Sequence, residues 1–167
     1  ASQVQYELIQ TVSALQSWVD EAIGRGFVAV DTETTSLDQT RAKLVGISLS
    51  LEPGRACYVP VAHVAPGSVS NPDLLSHDIS ASVPGIPDQI PLQRALDILK
   101  PLLTDPGVLK IGHNIKYDIV VFRRYGINVF PVDDSMLLSY VLEGGLHGHG
   151  MDELAERMLG HTTITFK

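Results

Sequence analysis

One cysteine, Cys57, occurs in the 167 residues, which excludes an internal disulfide and any cysteine-rich zinc cage. Long apolar runs are missing too. None approaches the roughly 18 residues that a membrane-spanning helix requires, and stretches such as Phe27–Val30 are only strand length. Positive charge is in deficit: 12 Lys and Arg stand against 19 Asp and Glu, a net charge of −7. A protein that grips nucleic acid through counterion release needs the opposite balance. Handling of nucleic acid through metal ions or a partner domain is still compatible with that charge. There is no internal repeat, and no basic-then-apolar targeting pattern follows Ala1-Ser2-Gln3. A cytoplasmic protein with no membrane association is expected. The last residues, Thr162-Thr163-Ile164-Thr165-Phe166-Lys167, form a β-prone run with no turn after it, as expected of a segment cut from a longer protein.

What is present can build a core. The chain is 44% hydrophobic and 19% charged, with the length of one domain spanning residues 1–167. Residues 5–9 read as a short strand. Residues 12–24 read as an amphipathic helix, with Leu15, Trp18, Val19 and Ala22 at helical spacing and glycines ending it. Phe27–Val30 is an apolar run of the kind buried on both faces of a sheet. Leu44–Leu51 and Ala56–Val61 read as further strands, joined by the turn Glu52-Pro53-Gly54-Arg55. From His63 to Pro91 prolines, glycines and serines accumulate, so residues 64–91 are expected to be a loop insertion. A helix over about 92–103 follows, then a strand at Val108–Ile111. Asn114 is placed to cap a helix reaching about Tyr125. A strand at Val129–Val132 and helices at Asp134–Leu142 and Met151–Leu159 complete the reading. This order predicts an α/β fold, a mixed sheet covered by helices.

The chemistry concentrates in carboxylates. In Val30-Asp31-Thr32-Glu33-Thr34 the two acids sit two residues apart and share one face of a strand. Like charges so placed repel unless something positive lies between them. Oxygen-only ligands favour hard ions such as Mg²⁺ or Mn²⁺. A polar strand end leaving the core is the commoner meaning of a bare Asp-x-Glu. Farther on, Asp118 takes a position among Ile115, Ile119 and Phe122 where an apolar residue is expected. Such a carboxylate is paired, protonated or metal-bound, or else it sits at the stripe's edge in water. Together the three acids suggest a two-metal phosphodiester site. His147-Gly148-His149 lacks a third ligand nearby and reads as loop polarity. Asp134 reads as a helix cap, and Cys57 as packing.

Asp31-Thr32-Glu33 with Ser36-Leu37, followed by Asn114-x-Lys116-Tyr117-Asp118, resembles the first two motifs of the DEDD 3′–5′ exonucleases. The likeness is greatest to the proofreading domain of bacterial DNA polymerase I. It extends over nearly the whole chain, through Tyr58-Val59-Pro60-Val61-Ala62-His63, Asp134-Ser135-Met136-Leu137, Met151-Asp152-x-Leu154-Ala155 and Thr163-Ile164-Thr165-Phe166. The resemblance implies a ribonuclease H-like mixed β-sheet flanked by helices. It implies Asp31, Glu33 and Asp118 as catalytic metal ligands for two Mg²⁺ or Mn²⁺ ions. Leu37 and Phe166 match positions that pack against the terminal bases, and Thr34 and Asn114 match residues near the terminal nucleotide. The implied substrate is the 3′ end of single-stranded DNA, hydrolysed to nucleoside monophosphates. The implied partner is the polymerase domain of the same parent chain.

Three departures qualify the match. The family's third motif, Tyr-x-x-x-Asp, is absent from this sequence and is expected beyond Lys167. With it go a fourth carboxylate and a water-orienting tyrosine, so this segment is expected to hold metal weakly or not at all and to be inactive alone. The 64–91 stretch is longer than the familiar pattern. His113 and Gly148 stand where that pattern has Gln and Arg. Two other readings compete: a catalytically silent scaffold supporting a polymerase domain, and a stand-alone DEDD ribonuclease.

Overall fold

The computed structural model describes residues 4–64 and 86–164. Phe166 and most of the expected 64–91 insertion lie outside the described residues. Eleven elements are described: β1 (Gln5–Leu8), α1 (Val12–Arg25), β2 (Phe27–Thr34), β3 (Leu44–Glu52), β4 (Arg55–Pro60), α2 (Leu92–Thr104), β5 (Leu109–Gly112), α3 (Lys116–Arg124), β6 (Val132–Asp134), α4 (Ser135–Glu143) and α5 (Met151–Leu159). The sheet order is β1-β4-β3-β2-β5-β6. β2, β3 and β4 form an antiparallel meander, and β1, β5 and β6 each join a neighbour in parallel. This is the mixed α/β sheet that the sequence pattern predicts.

Register divides the sheet into two faces. On one face Val28, Val30 and Thr32 of β2 align with Leu51, Leu49 and Ile47 of β3 and with Cys57 and Val59 of β4. All are buried. Leu15, Trp18, Val19 and Ala22 of α1 and Leu96, Leu99 and Leu103 of α2 join them in one core cluster. Burial pushes the Cys57 thiol up to about 12, which keeps it an inert packing group. The other face carries Ala29, Asp31 and Glu33 of β2 and Ser48 and Ser50 of β3. α4 and α5 lie over part of it. Between them and the sheet is a groove of about 530 Å³, lined by Ala29, Asp31, His113, Leu138, Leu142 and Met158 among others. Leu138, Leu142, Met158 and Leu159 all remain exposed.

The structure moves three predicted boundaries. β2 continues four residues past Val30, because β3 goes on pairing with it through Thr32↔Ile47 and Glu33↔Gly46. Asp31 and Glu33 are therefore inside a strand, with a register shift only between Glu33 and Thr34. The strand expected at Val129–Val132 is instead Val132–Asp134. Pro131 has no N–H to give to a ladder, so regular pairing begins after it. The helix expected from Asn114 starts at Lys116, and Asn114 does not cap it. Asn114 has a left-handed φ of 59°, and Ile115 occupies the cap position without a side-chain bond.

Two polar contacts brace the frame. The Gln89 side chain accepts from the His63 N–H (2.9 Å) and donates to the His63 carbonyl (3.0 Å), fastening together the two ends of the segment between them. Lys110 is fully buried, and its Nζ donates to the carbonyls of Val108 (2.6 Å), Asp105 (2.9 Å) and Leu102 (3.4 Å) where α2 ends. No helix among the described residues is long and apolar enough to cross a membrane. Replacing Lys110 with Met keeps the hydrocarbon stem but strands these carbonyls. Lys110→Met is expected to lower stability by about 3 kcal/mol, read as a shifted urea midpoint with an unchanged slope.

Candidate active site

β2 carries its acids past the end of its parallel neighbour. β5 pairs with β2 only from Phe27 to Ala29. Beyond that point the edge of β2 would be bare, and α3 fills the gap. Asp118, in the first turn of α3, is buried at 3% exposure. Its Oδ1 accepts from the Thr32 N–H (3.0 Å) and from the Thr32 hydroxyl (2.5 Å). A side-chain carboxylate thus takes over where strand pairing stops. Of the two positions the sequence left open for Asp118, buried and paired is the one found.

Asp31, Glu33 and Asp118 line one open cleft of about 540 Å³, with Thr34, Leu37, His113, Asn114 and Tyr117 around it. Asp31 remains solvent-accessible, yet the cleft walls desolvate its carboxyl and push its pKa up. The Thr32 backbone amide and the nearby His113 oppose that rise. Glu33 is pushed up by desolvation and then by the Asp31 charge, with His63 opposing. Asp118 is pushed up to about 6, first by burial, against the pull of the Thr32 hydroxyl, and further by Asp31. Asp31 is therefore the common neighbour, repelling Glu33 on one side and Asp118 on the other. Among the described residues no three such side chains are grouped closely enough to hold one ion. Asp31 and Glu33 are spaced two residues apart along the strand, roughly 7 Å, and Asp118 is turned toward Thr32. The donor set is all oxygen and electrostatically strained, which fits hard divalent cations shared between pairs of acids.

The other residues named from sequence are also placed. Leu37 is 96% exposed at the rim, an apolar side chain held in water. Thr34 bonds through its hydroxyl to the Tyr117 phenol and to the Ser36 carbonyl, and Tyr117 also reaches Ser36. The Asn114 side-chain oxygen is buried at the cleft and has no partner. His147 and His149 do not join a metal group among the described residues. His147 pairs with Glu143 (2.6 Å) and His149 with Ser139 (2.8 Å).

Sequence reasoning gave no role to Tyr58, His63 or Ser135. The Tyr58 ring covers Gly46, opposite Glu33, where a Cβ would lie 1.9 Å from its hydroxyl oxygen, so a side chain at this position would displace the ring. Tyr58 also bonds to His63 (2.7 Å). The alternation of β4 places Tyr58 on the acidic face, a signal that was readable once the register was known.

A family profile described as 3′-5′ exonuclease matches residues 6–167. The chain belongs to the 3′–5′ exonuclease family. It is 43% identical over 171 residues to the DNA polymerase I of Rhizobium leguminosarum, across 97% of this chain and 16% of that protein. The chain spans only about 16% of the length of these curated relatives that it matches. Among solved structures, Brucella melitensis NrnC with bound Mg²⁺ is similar with a TM-score of 0.65 at 18% identity, covering 99% of this chain and 66% of that one. Escherichia coli RNase D, an exoribonuclease involved in structured RNA processing, is similar with a TM-score of 0.64 at 20% identity, covering 96% and 35%. These two likenesses show the fold, a ribonuclease H-like sheet flanked by helices.

The raised Asp118 pKa yields a signed expectation for this exonuclease chain without metal. The unfolded carboxyl ionises near 3.8 and the folded one near 6. The contribution of Asp118 to the stability of the metal-free protein therefore falls as pH rises from about 4 to 6, then levels off. Asp118→Asn still accepts both Thr32 bonds and removes the buried charge. It should be more stable than the native chain at pH 8 by about 2–3 kcal/mol, with no difference at pH 4. Urea unfolding in a chelator at the two pH values checks this, and a difference of the same size at both would contradict it.

Proposed function

We propose that residues 1–167 form one proofreading 3′–5′ exonuclease domain of a DNA polymerase I, with residues 64–91 as an insertion. Its substrate is the 3′ end of single-stranded DNA, and its product is a nucleoside monophosphate. The observation that carries this is the single cleft shared by Asp31, Glu33 and Asp118, whose mutual repulsion calls for cations. Mg²⁺ or Mn²⁺, when bound, supplies an activated water and offsets charge on the leaving 3′ oxygen. Asp31 and Glu33 would hold one ion and Asp31 and Asp118 the other.

The remaining steps belong to binding and orientation. Leu37, exposed at the rim, offers an apolar surface to the terminal base. Phe166 serves the same purpose on the strength of the family likeness. Asn114, in the cleft wall, lies beside the terminal nucleotide on the strength of the family likeness. Thr34, fixed by Tyr117, shapes the wall beside it. With a net charge of −7 the chain adds little phosphate attraction of its own. The polymerase portion of the same parent chain would deliver the strand.

The 167 residues contain no Tyr-x-x-x-Asp. On this reading the fourth carboxylate and the water-orienting tyrosine belong to the parent's third motif. This chain alone is therefore expected to hold metal weakly and to cleave slowly, by several orders of magnitude. The test is Mn²⁺-dependent 3′-end digestion of single-stranded DNA and of RNA. This chain is compared with one extended through the parent's third motif. Activity on DNA in the extended chain only, lost in Asp31→Ala, is the expected result. Equal rates in both lengths would show that the site is complete without that motif. Preference for RNA would favour the ribonuclease reading, and inactivity of both lengths the scaffold.

A further inference from the structure

The loop that opens α3 is not held by its own residues. Asn114 has a positive φ, Ile115 offers no capping side chain, and a Cβ on Gly112 would lie 2.8 Å from Ile115. Its support comes from the end of β6, twenty residues on. Asp134, buried at 8% exposure, accepts the Asn114 N–H at Oδ1 (3.0 Å) and the Ile115 N–H at Oδ2 (3.1 Å). Oδ1 also accepts from Met136 (2.9 Å) and Leu137 (3.4 Å), which caps α4. Beside it, the Ser135 hydroxyl donates to the Gly112 carbonyl (3.1 Å) and pairs with His113 Nδ1 (3.0 Å). Residues 112–115 are thus gripped at every position by two consecutive side chains. β6 brings them there because Gly112 and Asp134 are register partners.

We propose that Asp134, assisted by Ser135, is a positioning residue for the exonuclease reaction. It fixes the start of α3, and with it the place where the Asp118 carboxylate meets Thr32 beside Asp31. Asp118 lies three residues after Ile115, within the first turn. A shift of the Ile115 amide is therefore transmitted to Asp118 with little room for correction, since Ile115 and Phe122 are locked in the core. A cap for α4 alone would use one oxygen. Asp134 uses both, and the second faces only Ile115. The same grip leaves Asn114 in its left-handed conformation with its side-chain oxygen at the cleft, and holds His113 by one ring nitrogen. The claim about geometry stands on these bonds, while its bearing on catalysis rests on the exonuclease reading above.

Asp134→Asn separates the two jobs. Asn retains an oxygen for Met136, Leu137 and Asn114, and asparagine is a good helix cap. Its amide nitrogen cannot accept from Ile115 and places donor against donor. The measurement is amide hydrogen exchange on this 167-residue chain, together with Mn²⁺ affinity by calorimetry. Protection should fall about tenfold at Ile115 and at Thr32, whose N–H bonds Asp118, while Met136 and Leu137 keep theirs. Mn²⁺ affinity should weaken several-fold. Ser135→Ala leaves the α4 cap intact and should lower protection at Thr32 by a smaller factor, which keeps the claim testable if Asp134→Asn folds poorly. Unchanged protection at Thr32 in the folded variants would overturn the proposal and reduce Asp134 to a helix cap. Native Mn²⁺ affinity in Asp134→Asn, with Thr32 loosened, would overturn its link to the metal site. If the native 167-residue chain binds no Mn²⁺, the affinities are read on the chain extended through the parent's third motif. There, native affinity in Asp134→Asn overturns the link to the metal site, and no binding by the unsubstituted extended chain counts against the exonuclease reading. The Thr32 exchange decides the positioning claim in either length.

Discussion

The contact between Asp118 and Thr32 is the joint on which the site is built. β5 stops short, so the outer edge of β2 has backbone donors with no strand to receive them. A carboxylate from α3 receives one of them, together with the hydroxyl of the same residue. An unpaired buried donor is costly, so α3 is drawn tightly to β2 at this point. That closeness brings an acid of a later helix next to two acids of an early strand. It also raises the Asp118 pKa, because the carboxylate is withdrawn from water while Asp31 stands near it. Folding and repulsion are produced by the same bonds.

The site is therefore stable in shape and unstable in charge. The hydrophobic face of the sheet, clamped by α1 and α2, lies on the opposite side from Asp31 and Glu33 and does not depend on them. That separation lets the protein keep three mutually repelling carboxylates on a rigid support. A cation entering the cleft would remove a strain already present rather than assemble the site around itself. The charges are pre-placed, as preorganised electrostatics requires.

Local sequence carried much of this. Leu15, Trp18, Val19 and Ala22 announced the buried face of α1, and the helix read over about 92–103 located α2. Asp31 and Glu33 could be placed on one face from strand periodicity alone. The features that escaped are non-local. Nothing near Asn114 reveals that its N–H is received by Asp134, so the residue looked like a cap by type, whereas the capping bonds come from twenty positions away. The extension of β2 past Val30 depended on β3 as its partner, and polar residues on a strand's open face resemble a strand's end. Tyr58 gained its place only through pairing that sets Ser48 opposite it and Gly46 within reach of its ring. The burial of Lys110 follows from carbonyls at the end of α2 that no local pattern marks.

The pair of bonds from Gln89 to His63 fastens the chain leaving β4 to the chain that enters α2. The entropic penalty for lengthening the excursion between them grows only logarithmically, about 0.6 kcal/mol per doubling. The closing bonds, being at its base, are indifferent to what lies between. Changes in the number of residues between His63 and Gln89 are thus expected to cost β4 and α2 little. The same property makes that segment a natural port for grafting a peptide, provided that Gln89 and the backbone of His63 are left alone.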